Sequence, residues 1–177
     1  MSVEKGKKRS FYEWKLSTFE QFGAHMMSCS RMSHRVVLDA DWFIINKTKH
    51  FKKIAYCAPT LGLVGEFTFS LPPGSAAYHN ELNLQARFSH GLDWRASGQF
   101  CHDDVDKAVA LMLSRFKTPN VEFYAKGSEK CKLLEQHLPK IYDLDDAGCP
   151  KYEEITKLSK STLQKAIVFS QWLEWYE

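Results

Sequence analysis

The run from Arg35 to Asn46, RVVLDADWFIIN, constrains the fold more than any other stretch of the chain. It is β-branched and aromatic on both of the faces that an extended chain presents, so it cannot lie at a sheet edge with one side in water. It predicts a central strand with a packed layer on each side. Two further strands follow at short intervals. Phe51 to Ala58 comes after a lysine-rich turn. Leu63 to Leu71 sets Leu63, Phe67, Phe69 and Leu71 against Val64, Glu66, Thr68 and Ser70. Pro72, Pro73 and Gly74 stop that strand, since successive prolines cannot donate to a ladder. Gaps this short favour antiparallel neighbours.

Residues 72–101 read as a long, mostly irregular segment holding His79, Asn80, His90 and Trp94. The period then changes from two to about 3.6. Asp103, Asp104 and Asp106 open a helix with Val105, Ala108, Val109, Met112 and Phe116 on one stripe, and its acidic start suits the helix dipole. A strand from Val121 to Ala125, a helix from Glu129 to Leu138, a short strand from Ile141 to Leu144 and a terminal helix from Ser159 to Tyr176 complete the order. Three antiparallel strands continued by βαβ crossovers make an α/β domain with a mixed five-stranded sheet and helices on its faces. That order resembles the topology of RNase H-like domains. A ferredoxin-like arrangement needs a helix between the first two strands, and the turn between them has no room for one.

A chain of 177 residues with 44% hydrophobic and 14% aromatic residues can bury a substantial core as one domain. Residues 1–34 read as an N-terminal basic arm and an amphipathic helix, and residues 35–177 as the domain proper. The five cysteines, Cys29, Cys57, Cys101, Cys131 and Cys149, form no CxxC or CxxxC pair, so neither a zinc finger nor a disulfide framework is indicated. The amino terminus lacks a signal-peptide core, and no apolar run is long enough to span a bilayer. The expected location is cytoplasmic, nuclear or both, with no membrane partner. The net charge of +3 neither demands nor excludes nucleic acid. Lys47, Lys49, Lys52 and Lys53 around His50 are open to two readings, a solvated turn or a phosphate-contacting patch.

From Ala58 onward the fragments keep a recognisable order. They are Ala58-Pro59-Thr60-Leu61-Gly62, Phe67 to Leu71, Tyr78-His79, Asn83 to Arg87, and Ala96-Ser97 through His102. Phe123 to Lys130, Asp143-Leu144, Gly148-Cys149-Pro150 and Ser161-Thr162-Leu163 with Trp172 follow. Together they resemble the Maelstrom domain, an RNase H-like family of the germline small-RNA (piRNA) pathway, over roughly residues 35–176, and the stretch from Phe123 to Pro150 is similar to arthropod members. The resemblance implies single-stranded RNA and RNA-silencing proteins as partners, perinuclear RNA granules as one location, and no small-molecule cofactor. It also has departures. The family's zinc site uses a Glu, a Cys-x-x-His element and a final Cys. Here Thr60 and Ser161 stand at the first and last positions, and the stretch from Pro150 to Ser161 carries neither Cys nor His. No zinc is expected. The family's HMG box is also absent, because 34 residues cannot hold its three helices.

Within an RNase H-like frame, Asp39 and Asp41 are the candidate catalytic pair. Two positions apart on one strand, they leave the same face, as a two-metal centre requires. Solvated carboxylates at a strand end are the alternative. Their usual partners are missing, since Lys126 follows the fourth strand and Lys157, Lys160 and Ser161 stand at the start of the terminal helix. Mg²⁺ or Mn²⁺ enters only if the chain is a nuclease. His102 and Asp106 are one residue too close for the histidine–aspartate pair of a DEDDh exonuclease, and helix capping accounts for Asp106 equally well. The turn Lys126-Gly127-Ser128-Glu129-Lys130 offers backbone N–H groups and two lysines to a phosphate, or is an ordinary Ser128 cap. With Arg87, His79, Lys49, Lys52 and Lys53, it forms the expected single-strand RNA groove, and Tyr78 and Trp94 are candidate stacking residues. The expected function is RNA binding by a catalytically weak or inactive domain in transposon silencing. An active single-strand ribonuclease and a protein-interaction module are the alternatives.

Overall fold

The computed structural model describes residues 33–158 and 160–176. The basic arm and amphipathic helix expected before residue 33 lie outside the described residues. Strands β1 (His34–Ile45), β2 (Thr48–Ala58), β3 (Leu63–Thr68), β4 (Val121–Ala125) and β5 (Ile141–Asp143) form one five-stranded sheet in the order β3-β2-β1-β4-β5. β1 pairs antiparallel with β2 and parallel with β4; β2–β3 is antiparallel and β4–β5 parallel. The sheet is therefore mixed, with β1 at its centre.

Asn46 and Lys47 alone join β1 to β2, both at positive φ (47° and 64°). A two-residue turn of this hand matches the twist of the flanking strands, and Asn tolerates it best. Between Asp41 and Trp42 the register slips and leaves Lys52 as the extra residue of a bulge. Such a bulge re-aims a side chain. Lys52, read from the sequence as a surface cation, is 4% exposed and donates to the Ala96 carbonyl.

Alternation along β1 divides the core. Val36, Leu38 and Ala40 face α2 (Val105–Arg115) and α3 (Ser128–Leu134), meeting Met112, Ala108 and Leu134 together with Ile54 and Tyr56 of β2. Val37 faces the other way, toward α5 (Thr162–Tyr176) and the single-turn α4 (Tyr152–Ile155), where Val168, Phe169 and Tyr152 cover it. Further along the same face, Phe43 and Ile45 lie under Leu82 of α1 (His79–Gln85). Between these two covered zones stand Asp39 and Asp41.

The segment expected to be irregular is instead folded. A 3₁₀ turn (Ser75–Tyr78), α1 and a π-helical turn (Ala86–His90) follow one another. Tyr78, Leu82 and Ala86 recur every fourth residue and pack on Phe43 and Ile45, a short stripe that the surrounding polar residues mask in the sequence. β3 stops at Thr68, short of the predicted Leu71, because the Phe69 to Ser70 backbone turns to pair with Phe100. Gly98 makes this possible, since a Cβ there would lie 2.2 Å from the Phe69 carbonyl carbon. α3 ends at Leu134 and α5 begins at Thr162, both shorter than the periodicity predicted.

Candidate functional site: a lysine-filled carboxylate pair

The pairing of β4 with β1 ends at Leu38–Ala125, so β1 runs on past the carboxyl end of its parallel neighbour. Crevices at this position, where strand order reverses direction, are where open α/β sheets place ligands. Asp39 and Asp41 are the first polar side chains beyond that point on the α5 face. They are not solvated. Asp39 is fully buried, and the Asp41 side chain keeps 13% of its surface.

Three side chains from two helices close on them. Lys130 of α3 donates its Nζ to Asp39 Oδ1. Lys165 of α5 places Nζ 3.6 Å from Asp39 Oδ2 and 3.4 Å from Asp41 Oδ1. Thr162, one turn earlier on α5, donates its hydroxyl to Asp41 Oδ2 at 2.7 Å. Asp39 Oδ2 accepts no hydrogen bond among the described residues and sees Lys165 only across that longer gap. Two carboxylates thus face two ammonium groups. Burial pushes the Asp39 carboxyl up, against the pull of Lys130 and Lys165. Burial draws Lys165 down, but Asp39 and Asp41 together outweigh it and hold the ammonium above its ordinary value. These opposed pulls belong to one cluster. The geometry, with both ammonium groups against carboxylate oxygens, describes it as an internal ion cluster.

His90 stands beside this cluster. Its ring meets Phe43 edge-on at 4.5 Å, and its Nδ1 accepts from the Leu92 N–H at 3.2 Å. Burial lowers its pKa while Asp41 opposes, which favours the neutral ring at neutral pH.

The other residues of the expected RNA groove do not converge as a set. Lys126 is turned inward to Asp145 and the Cys149 carbonyl. Lys130 is spent on Asp39. Lys49 pairs with Glu129, and Lys53 pairs with Glu66 at 2.8 Å. The turn that was to cradle phosphate is filled from within, because Asp143 Oδ1 accepts from the Gly127 N–H at 2.9 Å. Gly127, at φ 99°, caps α3, and Ser128 is exposed and provides no side-chain cap. His79 opens α1 and Arg87 lies in the π-helical turn just after it, and both are exposed. Trp94 donates Nε1 to Asn83 and packs beneath α1, as Tyr78 does. Asp106 engages His137 at 2.6 Å, while the His102 ring faces His50 at 6.1 Å, so the pair compared with an exonuclease dyad does not meet.

Lys165 and Thr162 were not singled out in the sequence. Their signal was present: one cation and one hydroxyl three residues apart, on the edge of the stripe Ala166, Phe169 and Leu173. A cation so placed needs an anion, and the strand offered two.

The described residues contain one group of three close metal-capable side chains, Cys101, Asp103 and Asp104. No helix among them is long and apolar enough to cross a membrane. In comparisons with known proteins, no family model and no curated protein sequence matches the chain.

Proposed function

We propose that this chain is an RNase H-like domain of the Maelstrom kind that binds single-stranded RNA without cutting it, and that serves small-RNA silencing in the cytoplasm or nucleus. The observation that carries the reading is the pairing of Asp39 and Asp41 with Lys130 and Lys165. In a two-metal nuclease, carboxylates hold divalent ions that orient water and the phosphate. Here two ammonium groups, Lys130 and Lys165, lie against the carboxylate oxygens that such ions need, and no further carboxylate among the described residues joins Asp39 and Asp41 in the cluster. These residues do not fit a two-metal centre.

Nor do the residues at the zinc positions fit zinc. The Thr60 hydroxyl hydrogen-bonds His34 Nδ1 at 3.1 Å, and Ser161 Oγ accepts from the Gln164 N–H at 3.2 Å. Both are spent locally, and neither is a thiolate, imidazole or carboxylate. The ordered strand and helix pattern, together with the residual family fragments, supports the RNA-directed role.

Incubating the full chain with end-labelled single-stranded RNA, with Mn²⁺ in one arm and EDTA in the other, tests this reading. The RNA should be retained at low salt, released as salt rises, and recovered at full length in both arms. Cleavage that requires Mn²⁺ and disappears in Asp39→Ala would overturn it.

A further inference from the structure

We propose that the outer face of residues 84–95, built on Arg87, Phe88 and Arg95, is a stacking and phosphate-contacting site for single-stranded RNA. The inference rests on the RNA-binding reading above and moves the contact away from the lysines that the sequence nominated. Those lysines are engaged internally, as shown, whereas Arg87 and Arg95 have no carboxylate partner among the described residues. Each guanidinium instead lies over an aromatic ring, Arg87 over Phe88 at 5.3 Å and Arg95 over Trp94 at 5.1 Å.

Phe88 is 74% exposed and Leu84, one turn before it, 56%. One helical turn apart, the two make an exposed apolar step, the kind of surface that can serve as a contact when it is contiguous. The backbone holds it there. The π-helical turn, closed by the Gly91 N–H on the Ala86 carbonyl at 2.7 Å, presents Arg87 and Phe88 outward. Such turns concentrate at functional sites.

The platform is also anchored to the sheet. Gln85 makes two hydrogen bonds to the Ile44 backbone (2.7 and 2.8 Å), completing the β1 edge that β4 leaves open. Leu82 is fully buried beneath it. On the far side, Arg95 and Trp94 border an open groove of about 240 Å³ that also includes Ser70, Pro72, Ser75 and Ser97. An aromatic face, a second ring beneath an arginine and two free guanidinium groups are what sequence-tolerant single-strand binding uses. Two exposed acids lie in or beside the segment: Asp93, whose Oδ1 accepts from the Arg95 N–H at 3.0 Å and whose charge acts on Lys52, and Glu81 on α1.

The test is fluorescence anisotropy with labelled oligouridylate of about 20 nucleotides, on the full chain and on Phe88→Ala, Arg87→Gln/Arg95→Gln and the control Lys151→Gln. All substituted side chains are exposed, and circular dichroism checks the fold of each. Phe88→Ala should weaken binding about tenfold, the range for loss of one base–aromatic stack. The arginine pair should lower the log–log salt slope by about 1.4, or about 0.7 per phosphate. Lys151→Gln should leave both unchanged. If the parent chain binds and the Phe88 and arginine variants bind equally well, the site is wrong and the RNA reading stands. If the parent chain fails to bind even at low salt, both fall, and the patch belongs to a protein partner.

Discussion

Asp39→Asn is expected to cost about 3–5 kcal/mol of folding stability, the range for stripping one partner from a buried ion cluster. The substitution keeps the shape of the side chain and removes its charge. Lys130 and Lys165, whose side chains keep 15% and 19% of their surface, would then share the single remaining anion, Asp41. Neither ammonium can reach full hydration without leaving the α3 and α5 layers. The informative control is Asp145→Asn at the Lys126 pair, where the carboxylate is 52% exposed and the expected loss is about 0–1 kcal/mol. Urea unfolding of both variants near neutral pH gives the comparison directly. A loss under about 1 kcal/mol for Asp39→Asn would mean that the cluster is hydrated and contributes little.

The pH dependence of the same cluster should fall on the alkaline side. The Lys165 pKa in the folded chain is raised above its ordinary 10.5, so its stabilising contribution is complete below about 10.5 and fades as pH climbs through the folded value. Burial raises Asp39 above 3.8 against the pull of Lys130 and Lys165, so protonation of this carboxyl does not drive acid unfolding. Tyr152 and His90 also face the cluster, the first raised by burial and the second lowered by it. The stability gap between the parent chain and Lys165→Met should stay level from about pH 6 to about pH 9 and narrow above about 10.5. Urea midpoints measured across that range decide it. A gap that closes in acid and persists in alkali would assign the effect to a carboxylate instead.

Much of this architecture is legible in the sequence, for reasons that lie in particular residues. Arg35 to Asn46 is apolar on both faces because β1 is covered by α2 and α3 on one side and by α5 and α1 on the other. Val121 to Ala125 has the same origin, since β4 lies between β1 and β5. The covered α1 region was not legible, because its stripe is three residues long and is set among Asn, Glu and Gln. Asp39 and Asp41 could be placed on one strand face by alternation alone, but their partners could not. Lys130 and Lys165 are 91 and 126 residues along the chain from Asp39, and nothing local ties them to a carboxylate. A lysine followed by glycine and serine reads as a phosphate turn until Asp143 is seen to fill it. Lys126 and Lys130 are recognisable as cations in the sequence; what they neutralise is set by the fold.

The central claim, that ammonium groups occupy the place where divalent ions would neutralise Asp39 and Asp41, is tested most directly by thermal melting with and without about 1 mM Mn²⁺, since an ion bound only by the folded chain raises the midpoint in proportion to its affinity. The parent chain should melt at the same temperature in both, and Lys130→Gln/Lys165→Gln, with the pair unmasked, should be raised by Mn²⁺. A parent chain stabilised by Mn²⁺, with the gain lost in Asp41→Asn, would contradict it.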